Sequence, residues 1–295
     1  MRRNILQKIK KKDDAVAGII VAILLVGLII SVLAIIQTVY VPRWMEQKEA
    51  EHMNTVLDQF ALLKFAIDTQ ALHQDANVSL STSITLGSKE WPIFSSSRAY
   101  GTLEIIEDES NFQIMNAAAD VFAQISFGKV TYASANAYFI DKTYVYETGA
   151  LITGQSDGNV MSIVPNFVVR YNDDVVPKTI TINFSIINTK GIGEKTSIGG
   201  YGTYPIQAQY SNSTDKQYPK DGWTIDKFSI ATKYINSWEI FLKREFTKAE
   251  LEENTHYIFN SNEKEVIVDF DDSLDITINI KKYNIGVQIA PGWVE

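Results

Sequence analysis

The sequence predicts an α+β protein: a long N-terminal helix, at first wholly apolar and then amphipathic, followed by an antiparallel β-sandwich-like domain with one short inserted helix. Three patterns support this fold class. No charged residue interrupts positions 15–36, apolar residues then recur every three or four positions to residue 72, and beyond residue 77 they alternate with polar residues in short segments. These patterns are typical of a membrane-length helix, an amphipathic helix and half-buried strands, respectively.

The apolar segment is long enough to cross a membrane. Its 22 residues, 15–36, rise about 33 Å as an α-helix, and the hydrocarbon core of a bilayer is about 30 Å thick. The leader before it, residues 1–14, holds six Lys or Arg and two Asp. Because the cytoplasmic flank of a span carries the excess of positive charge, we expect a single-pass protein of the cell membrane with a cytoplasmic N-terminus and an extracytoplasmic body, residues 43–295.

A cleaved secretory signal is the main competing interpretation of this N-terminus. Such a signal has an apolar core of about 7–15 residues followed by small residues at the cleavage site. Here the run is longer, and positions 37–42, Gln-Thr-Val-Tyr-Val-Pro, contain no such site. We therefore assign residues 15–41 to the span, with Tyr40 and Trp44 as aromatic anchors at its outer interface.

Residues 42–72 predict an amphipathic helix that continues the span. Pro42 is tolerated at a helix start, because the N–H that it lacks would have no partner there. We expect one long, two-part helix from about Ala15 to Ala71, with its second half packed on the β domain. The stripe that would face the domain consists of Met53, Val56, Leu57, Phe60, Leu63, Ala66, Ile67 and Gln70.

The domain at 77–295 contains many short segments of period two that are rich in Val, Ile, Thr, Tyr and Phe. Frequent turn residues between them favour antiparallel sheets packed as a sandwich. A helix interrupts the strands at 237–246, and residues 247–250 fit a capping box that begins another turn. The clearest predicted strands are 78–86, 101–106, 142–147, 179–187, 264–270 and 274–281.

The composition limits the chemistry of the chain. It has no cysteine, which excludes disulfides, thiol catalysis and Cys-ligated metal sites. The net charge is −8, and subtracting the leader's six basic and two acidic residues leaves 21 Lys+Arg and 33 Asp+Glu, or −12. Because so acidic a body repels phosphates, we expect no nucleic-acid partner.

The junction between the leader and the apolar segment resembles a known export signal. Residues 12–20, Lys-Asp-Asp-Ala-Val-Ala-Gly-Ile-Ile, follow a basic leader and open the apolar run. This arrangement is similar to the class III signal of archaeal pilins and archaellins, relatives of type IV pilins. Further segments are similar to parts of uncharacterised archaeal pilin-like surface proteins, namely 40–53, 83–87, 146–152 and 234–241.

The resemblance implies processing at this junction. In pilins a membrane peptidase cuts between the leader and the apolar helix, which then stays in the membrane or becomes the core of a filament. The processing residues would be Lys12, Asp13, Asp14 and Ala15, with the cut beside Asp13 or Asp14.

The apolar helix also carries small residues one turn apart, which let helices approach closely. They are common in membrane helices generally, and here they predict self-association or contact with related pilin-like subunits. The residues concerned are Gly18, Ala22, Gly27 and Ser31.

Few residues favour catalysis. The three histidines, His52, His73 and His256, lack the spacing of a triad or a metal site. The glycine clusters at 191–194 and 199–202 are better explained as turns than as phosphate-binding loops. We expect a protein that is not an enzyme, with no catalytic residue, cofactor or metal site.

Three acidic clusters supply oxygen ligands of the kind that Ca²⁺ prefers. They lie at 107–109, 173–174 and 269–272, without the spacing of an EF-hand. Each falls where strands should turn, so we expect solvated turns rather than calcium sites. A glycosidase pair would need two of these carboxylates to face each other, and the spacing selects none.

Three Asn-x-Ser/Thr sequons mark candidate glycan acceptors at Asn77, Asn183 and Asn212. Asn212 is the preferred acceptor because residues 211–215 predict a polar loop, whereas Asn183 lies within a predicted strand. Several tryptophans could stack on sugars, although in a sandwich such residues more often pack in the core or at an edge: Trp91, Trp223, Trp238 and Trp293.

The leading hypothesis is therefore structural: a pilin-like, N-terminally anchored protein of the archaeal cell surface, either a filament subunit or a minor pilin, whose helix contacts the lipid bilayer. Two other classes remain open. One is a non-polymerising anchored module that binds envelope glycan or protein partners, which retention on envelope polysaccharide would favour. The other is a tethered hydrolase, which loss of an activity on changing one buried acid or serine would favour.

Overall fold

A continuous helical segment followed by a large β-rich domain confirms the predicted α+β fold class. The computed structural model describes residues 2–88, 99–193, 195–220 and 223–290, and of residues 2–17 it describes the backbone alone. The helical segment consists of α1 (Arg2–Ile35), a π-helical turn (Ile36–Tyr40) and α2 (Val41–His73).

The π-helical turn lies directly before Pro42. A proline has no N–H, and its ring crowds the carbonyl four residues earlier, which is that of Thr38. The Val41 N–H bonds to the carbonyl of Ile36, five residues back, so the wider turn leaves space for the ring. Because the backbone stays helical through this point, α1 leads into α2 without a loop.

The β domain has fourteen strands and one helix, α3 (Ile235–Lys248), within the part of the chain that the structure describes. The strands are β1 (Ser79–Thr85), β2 (Tyr100–Met115), β3 (Val121–Ala135), β4 (Thr143–Glu147), β5 (Ala150–Gln155), β6 (Gly158–Ile163), β7 (Phe167–Asn172), β8 (Lys178–Gly191), β9 (Ser197–Gly200), β10 (Thr203–Tyr218), β11 (Lys227–Ala231), β12 (Tyr257–Phe259), β13 (Glu265–Phe270) and β14 (Leu274–Ile289).

These strands form two sheets. A five-stranded sheet has the order β1-β10-β14-β8-β7, and a nine-stranded sheet has the order β12-β13-β11-β2-β3-β4-β5-β6 with β9 also paired to β2. The paired strands are antiparallel apart from β8 and β14, which run parallel over fourteen residue pairs from Leu274↔Lys178 to Val287↔Gly191. A parallel pair needs a long crossover, which here contains β9 to β13.

Two hydrophobic cores lie between the sheets, and each is closed by a different helix. The α2 core receives six side chains from α2: Met53, Val56, Phe60, Leu63, Ile67 and Ala71. The α3 core receives four side chains from α3: Trp238, Phe241, Leu242 and Phe246.

Long strands pass from one core to the other. On β2, Leu103 and Ile105 line the α2 core, whereas Phe112 and Ile114 line the α3 core. A bulge interrupts β2 between Ile106 and Ser110. Odd-numbered residues of β2 face inward before this bulge, and even-numbered residues face inward after it. Between the pairs Ile106↔Lys129 and Ser110↔Phe127, three β2 residues lie opposite one β3 residue. The alternation of β2 reverses across this irregular stretch, so one strand serves both cores.

The two sheets approach each other closely at Gly128 of β3 and Thr189 of β8. A Cβ atom added to Gly128 would lie 2.2 Å from the Thr189 carbonyl oxygen. Only glycine therefore permits this approach. We call the region of Gly128, Asn188 and Thr189 the sheet crossing.

A ladder of asparagine side chains crosses this region. The Gly128 N–H donates to Asn188 Oδ1 at 2.9 Å, Asn188 Nδ2 donates to Asn284 Oδ1 at 2.8 Å, and Asn284 Nδ2 donates to Asn212 Oδ1 at 2.6 Å. Asn188 is fully buried. Since a buried amide is costly without partners, the ladder favours the observed register of β3, β8, β14 and β10 over slipped alternatives.

Some local predictions are wrong. Residues 247–250 do not begin a second turn, because Thr247 Oγ1 donates to the Lys243 carbonyl inside α3, and the helix ends one residue later. The acidic cluster 107–109 is not a turn but the bulge of β2, with Asp108 at φ 49°. Residues 211–215 are not a loop, because they lie within β10, where residues 212–215 pair with β14. In the glycine cluster 199–202, the first two residues belong to β9 rather than to a turn.

Candidate functional site

The helical segment and its junction with the β domain form the candidate functional site. Each side chain from Gly18 to Ile35 is exposed, including those of Ile, Leu and Val. This segment belongs to the one helix in the described residues that is long and apolar enough to cross a membrane, as judged by length and composition. So large an apolar surface is not stable in water, and it indicates single-pass membrane anchoring.

Tyr40 and Trp44 lie where the exposed apolar stretch ends. Both side chains are exposed, and their ring centroids are 5.9 Å apart. Burial against the β domain begins beside them, with Val41 and Met45. An amphipathic aromatic pair at this level fits the boundary between lipid and water.

Glu49 fastens the first turns of α2 to the β3–β4 loop. Its side chain is fully buried, and its carboxylate accepts hydrogen bonds from three successive backbone N–H groups, those of Ala137 (3.0 Å), Tyr138 (2.7 Å) and Phe139 (2.6 Å). Consecutive N–H groups that converge on a carboxylate make strong charge-assisted bonds. The β3–β4 loop therefore fixes α2 to the β domain a few turns after the exposed apolar stretch ends.

His52 is a buried residue of α2 that contacts polar groups of the β domain. Its Nε2 lies 3.3 Å from both the Leu86 carbonyl oxygen and the Tyr132 hydroxyl, and the Tyr132 hydroxyl donates to the same carbonyl at 2.8 Å. Burial lowers the pKa of His52, which favours the neutral imidazole. These contacts join α2 to the segment after β1.

Two further tyrosines join β4 to α2. The Tyr144 hydroxyl donates to the Met53 carbonyl at 2.9 Å, and the Tyr146 hydroxyl donates to Asp68 at 3.1 Å. Burial raises the pKa of Tyr144 to about 12, and that of Tyr146 also lies well above its ordinary value, so both phenols remain protonated donors. Polar bonds thus reinforce the apolar packing of α2 along much of its length.

The outer face of α2 is partly apolar. Leu62, Phe65 and Leu72 are exposed and lie three and seven residues apart, which places them on one side of the helix. The predicted inward stripe is buried, apart from Leu57, which is only partly covered.

The predicted processing residues lie within α1. Lys12, Asp13, Asp14 and Ala15 have a helical backbone, and the processing prediction stays open. The small residues predicted for helix packing have open space around them: no atom lies within 4 Å of a Cβ added to Gly18 or to Gly27. Their packing role, too, stays a prediction.

The three sequon asparagines differ in exposure. Asn77 is exposed in the turn before β1, where its side chain bonds to Asp75. Asn183 is half-buried in β8, where its Oδ1 accepts from Asn279 Nδ2 at 3.0 Å. Asn212 is exposed, although it lies on a strand and accepts from Asn284. Asn77 therefore has both the exposure and the turn structure expected of a glycan acceptor. Asn212 has the exposure but lies on a strand.

A buried carboxylate that the sequence analysis missed lies beneath α3. Glu147 is fully buried at the end of β4 and accepts hydrogen bonds from Thr232 Oγ1 (2.8 Å), Trp238 Nε1 (3.0 Å) and Ser110 Oγ (3.1 Å). Burial raises the pKa of Glu147, against the opposing effect of the nearby Lys129. No pattern of spacing marks this residue, because its partners come from three distant segments.

Lys129 is the second buried charge of this cluster. Its side chain is 1% exposed, and its Nζ lies 2.5 Å from Glu109 Oε2 and 5.1 Å from the ring centroid of Tyr234. Burial acts to raise the pKa of Glu109, but hydrogen bonds from Lys129 and Lys233 outweigh it and lower that pKa. Because Glu147 and Lys129 are enclosed, the cluster connects β2, β3, β4 and α3 rather than presenting a reactive group to solvent.

The remaining candidate groups are scattered. Within the described residues, no group of three or more His, Asp or Glu side chains is arranged to hold a metal ion. Trp238 is buried beside Glu147, as a packing tryptophan would be, whereas Trp223 is 49% exposed. Trp91 and Trp293 lie outside the described residues.

The fold and the junction define a class of protein: a β-rich domain carried on one N-terminal helix that is long and apolar enough to span a membrane. A family model matches residues 15–285 and is described as a family of unknown function (DUF7289). Because the match covers most of the chain, the protein belongs to this family. No curated protein and no solved structure matches the sequence.

Proposed function

We propose that the protein is a pilin-like structural protein of the archaeal cell surface, anchored by α1, with its β domain outside the membrane. The observation that supports this most directly is that the exposed apolar helix and the helix packed on the β domain are continuous. The exposed apolar α1 leads without a loop into α2, whose buried side chains complete a core of the β domain. Such a helix transmits the orientation of the anchor to the body, as a filament subunit requires.

The charge distribution supports the same orientation. The leader is basic, and the remaining chain has a net charge of −12. Under the positive-inside bias the leader stays in the cytoplasm. The enclosed Glu147 cluster and the buried His52 offer no open catalytic group, which favours a structural role over that of a tethered hydrolase.

Mass spectrometry of the N-terminus from native membranes tests the pilin-like part of the proposal. We expect the mature chain to begin beside Asp13 or Asp14. Lys12→Glu should block the cut and leave a species longer by the leader, whereas Lys8→Glu, the same charge change farther from the junction, should be processed normally. A native N-terminus at Met1 or Arg2, with unchanged migration of Lys12→Glu, would leave a plain single-pass anchor.

Self-association of α1 is tested separately. Gly27→Leu should weaken association of the full chain in detergent without unfolding the β domain, because a leucine at this position prevents close helix approach. Val26 lies on the neighbouring face of the helix, so Val26→Leu is the matched control. Equal association of both variants would contradict packing through the small residues.

A further inference from the structure

An open cavity lies between β3 and the segment that follows β10. Its volume is about 330 Å³, at the small end of the range of about 300–1,000 Å³ that is usual for ligand pockets. One wall is formed by residues 122–125 of β3. The lining also includes Lys216, Tyr218, Lys220, Trp223 and Ile225.

An exposed tryptophan forms the aromatic part of this cavity. Trp223 contacts Phe122 in a T-shaped arrangement, with ring centroids 3.9 Å apart and planes at 81°. A single T-shaped contact covers at most one face of an indole, and 49% of Trp223 is exposed. Since exposed tryptophans are uncommon on soluble domains, this ring has the character of a stacking platform.

Two cations face the same cavity. Lys216 and Lys220 are exposed, and neither forms an ion pair with any carboxylate in the described part of the chain. Lys282 lies close by, with its Nζ donating to the Ser126 carbonyl at 2.8 Å. Burial lowers the pKa of Lys282, and the charges of Lys190 and Lys216 act in the same direction, against the opposing charge of Asp108.

The carboxylate nearest along the chain, Asp215, directly precedes Lys216 on β10, so its side chain faces the opposite side of the sheet. Two further described carboxylates that lie near the cavity in sequence have structural partners. Asp226 Oδ2 accepts from the Ala117 N–H at 2.8 Å, and Asp120 Oδ2 accepts from Asn116 Nδ2 at 3.0 Å. Both thus hold the β2–β3 turn. Asp221 lies outside the described residues. A concentration of lysines on a body with a net charge of −12 favours an anionic ligand.

The cavity lies beyond the end of α2. That helix runs beside β10: Gln59 bonds to Thr85, which pairs with Thr203, and Gln74 bonds to Ser213 farther along the strand. Lys216 and Tyr218 follow on β10, past the last residue of α2. A ligand bound there would be held at the side of the body away from the apolar helix.

We propose that this cavity binds an acidic saccharide, with the apolar face of a sugar ring stacked on Trp223 and its carboxylate paired with Lys216 and Lys220. An aromatic ring suits the C–H face of a pyranose, and two ammonium groups that form no ion pair within the described residues suit its acid. The Gln124 amide and the Tyr218 hydroxyl supply hydrogen-bonding groups for sugar hydroxyls.

Isothermal titration calorimetry of the full chain in detergent tests this site, with tri-galacturonic acid as the probe and neutral galactotriose as its matched control. We expect the acid to bind at least about tenfold more tightly than the neutral sugar. Trp223→Ala should weaken acid binding at least about tenfold, because the stacking surface is lost. The double variant Lys216→Gln with Lys220→Gln should remove the preference for the acid.

Two surface variants serve as controls. Ile240→Ala removes an apolar side chain of α3 that is even more exposed than Trp223, and Lys248→Gln removes one positive charge elsewhere. Both should bind the acid as the unchanged protein does. Absence of binding, equal affinity for acid and neutral sugar, or undiminished acid binding by Trp223→Ala would each overturn the site. If Trp223→Ala fails to fold, the double lysine variant tests the site instead, and an unchanged preference for the acid in that variant would overturn it. The titration requires no membrane orientation, so its failure would leave the anchoring proposal standing.

Discussion

The two cores of the β domain differ in their dependence on the N-terminal helix. The α2 core takes six side chains from α2, whereas the α3 core takes none from it and is closed by α3. The chain that carries the anchor is thus an integral part of one core and is absent from the other. The anchor and the body are therefore not modules joined by a linker, because removing α2 would remove part of the body's interior.

The polar groups of the two cores differ as well. Around the α2 core, buried hydroxyl and carboxylate groups bond α2 to β4 and to the β3–β4 loop, as the Tyr144 and Glu49 contacts illustrate. Beside the α3 core, Glu147 and Lys129 are enclosed charges with several partners each. The first arrangement attaches a helix, and the second connects strands that lie far apart in the sequence.

Truncation should separate the two cores most strongly. A protein that begins at Arg43 keeps α2, so we expect it to be soluble, folded and catalytically inert. A protein that begins at Asn77 lacks six buried apolar side chains, and the five larger than alanine are worth about 1.5–3 kcal/mol each, a loss comparable to the whole stability of about 5–15 kcal/mol. Size-exclusion chromatography should therefore show aggregation of the shorter protein only. Equal behaviour of the two would contradict the packing of α2.

Two phenylalanines five residues apart on α2 test which face of this helix packs in the α2 core. Phe60 is fully buried in the α2 core, so Phe60→Ala should lower the free energy of unfolding by about 3–5 kcal/mol. Phe65 is 67% exposed, and Phe65→Ala should change the free energy of unfolding by no more than about 0.5 kcal/mol. Urea unfolding of the protein that begins at Arg43 measures both. Similar losses for the two variants would mean that the helix packs on a different face.

The sheet crossing offers a third test. Asn188→Ala would leave the buried Gly128 N–H without its partner, and we expect a loss of about 1–3 kcal/mol. Asn183→Ala, on the same strand but half-buried, removes a similar amide pair at a smaller cost, about 0.5–1.5 kcal/mol. Should both variants lose the same stability, the ladder would not be what fixes the register.

The pH dependence of stability should depend on Glu147. Its pKa is raised by burial above the ordinary value of 4.5, so its contribution to stability is fully present below about that pH and is lost as the pH rises through the folded-state pKa. Glu147→Gln keeps an acceptor for Trp238 and Thr232 but cannot ionise. The stability of the unchanged protein relative to this variant should therefore fall as the pH rises from 4.5 to 8. A rise over that range would show that pairing with Lys129 outweighs burial.

Periodicity predicted the helical segment and the principal strands, because both depend on local alternation of apolar and polar residues. It could not predict the parallel pairing of β8 and β14 or the Glu147 cluster, whose partners come from distant segments. One signal was present: Asn183 and Asn279 are 96 residues apart, and so are Asn188 and Asn284. Two asparagine pairs at the same separation are what a parallel register produces. The β2 bulge was missed because an acidic cluster in a strand has the composition of a turn.

Labelling of single introduced cysteines tests the anchored orientation most directly, since the chain has no cysteine of its own. Thr214, exposed on β10, and Asn4, in the leader, are suitable positions. With a membrane-impermeant maleimide on intact cells, Thr214→Cys should be labelled, and Asn4→Cys should be labelled only after lysis or be missing because the leader has been removed. Labelling of Thr214→Cys only after lysis would contradict an extracytoplasmic body on a single-pass N-terminal anchor.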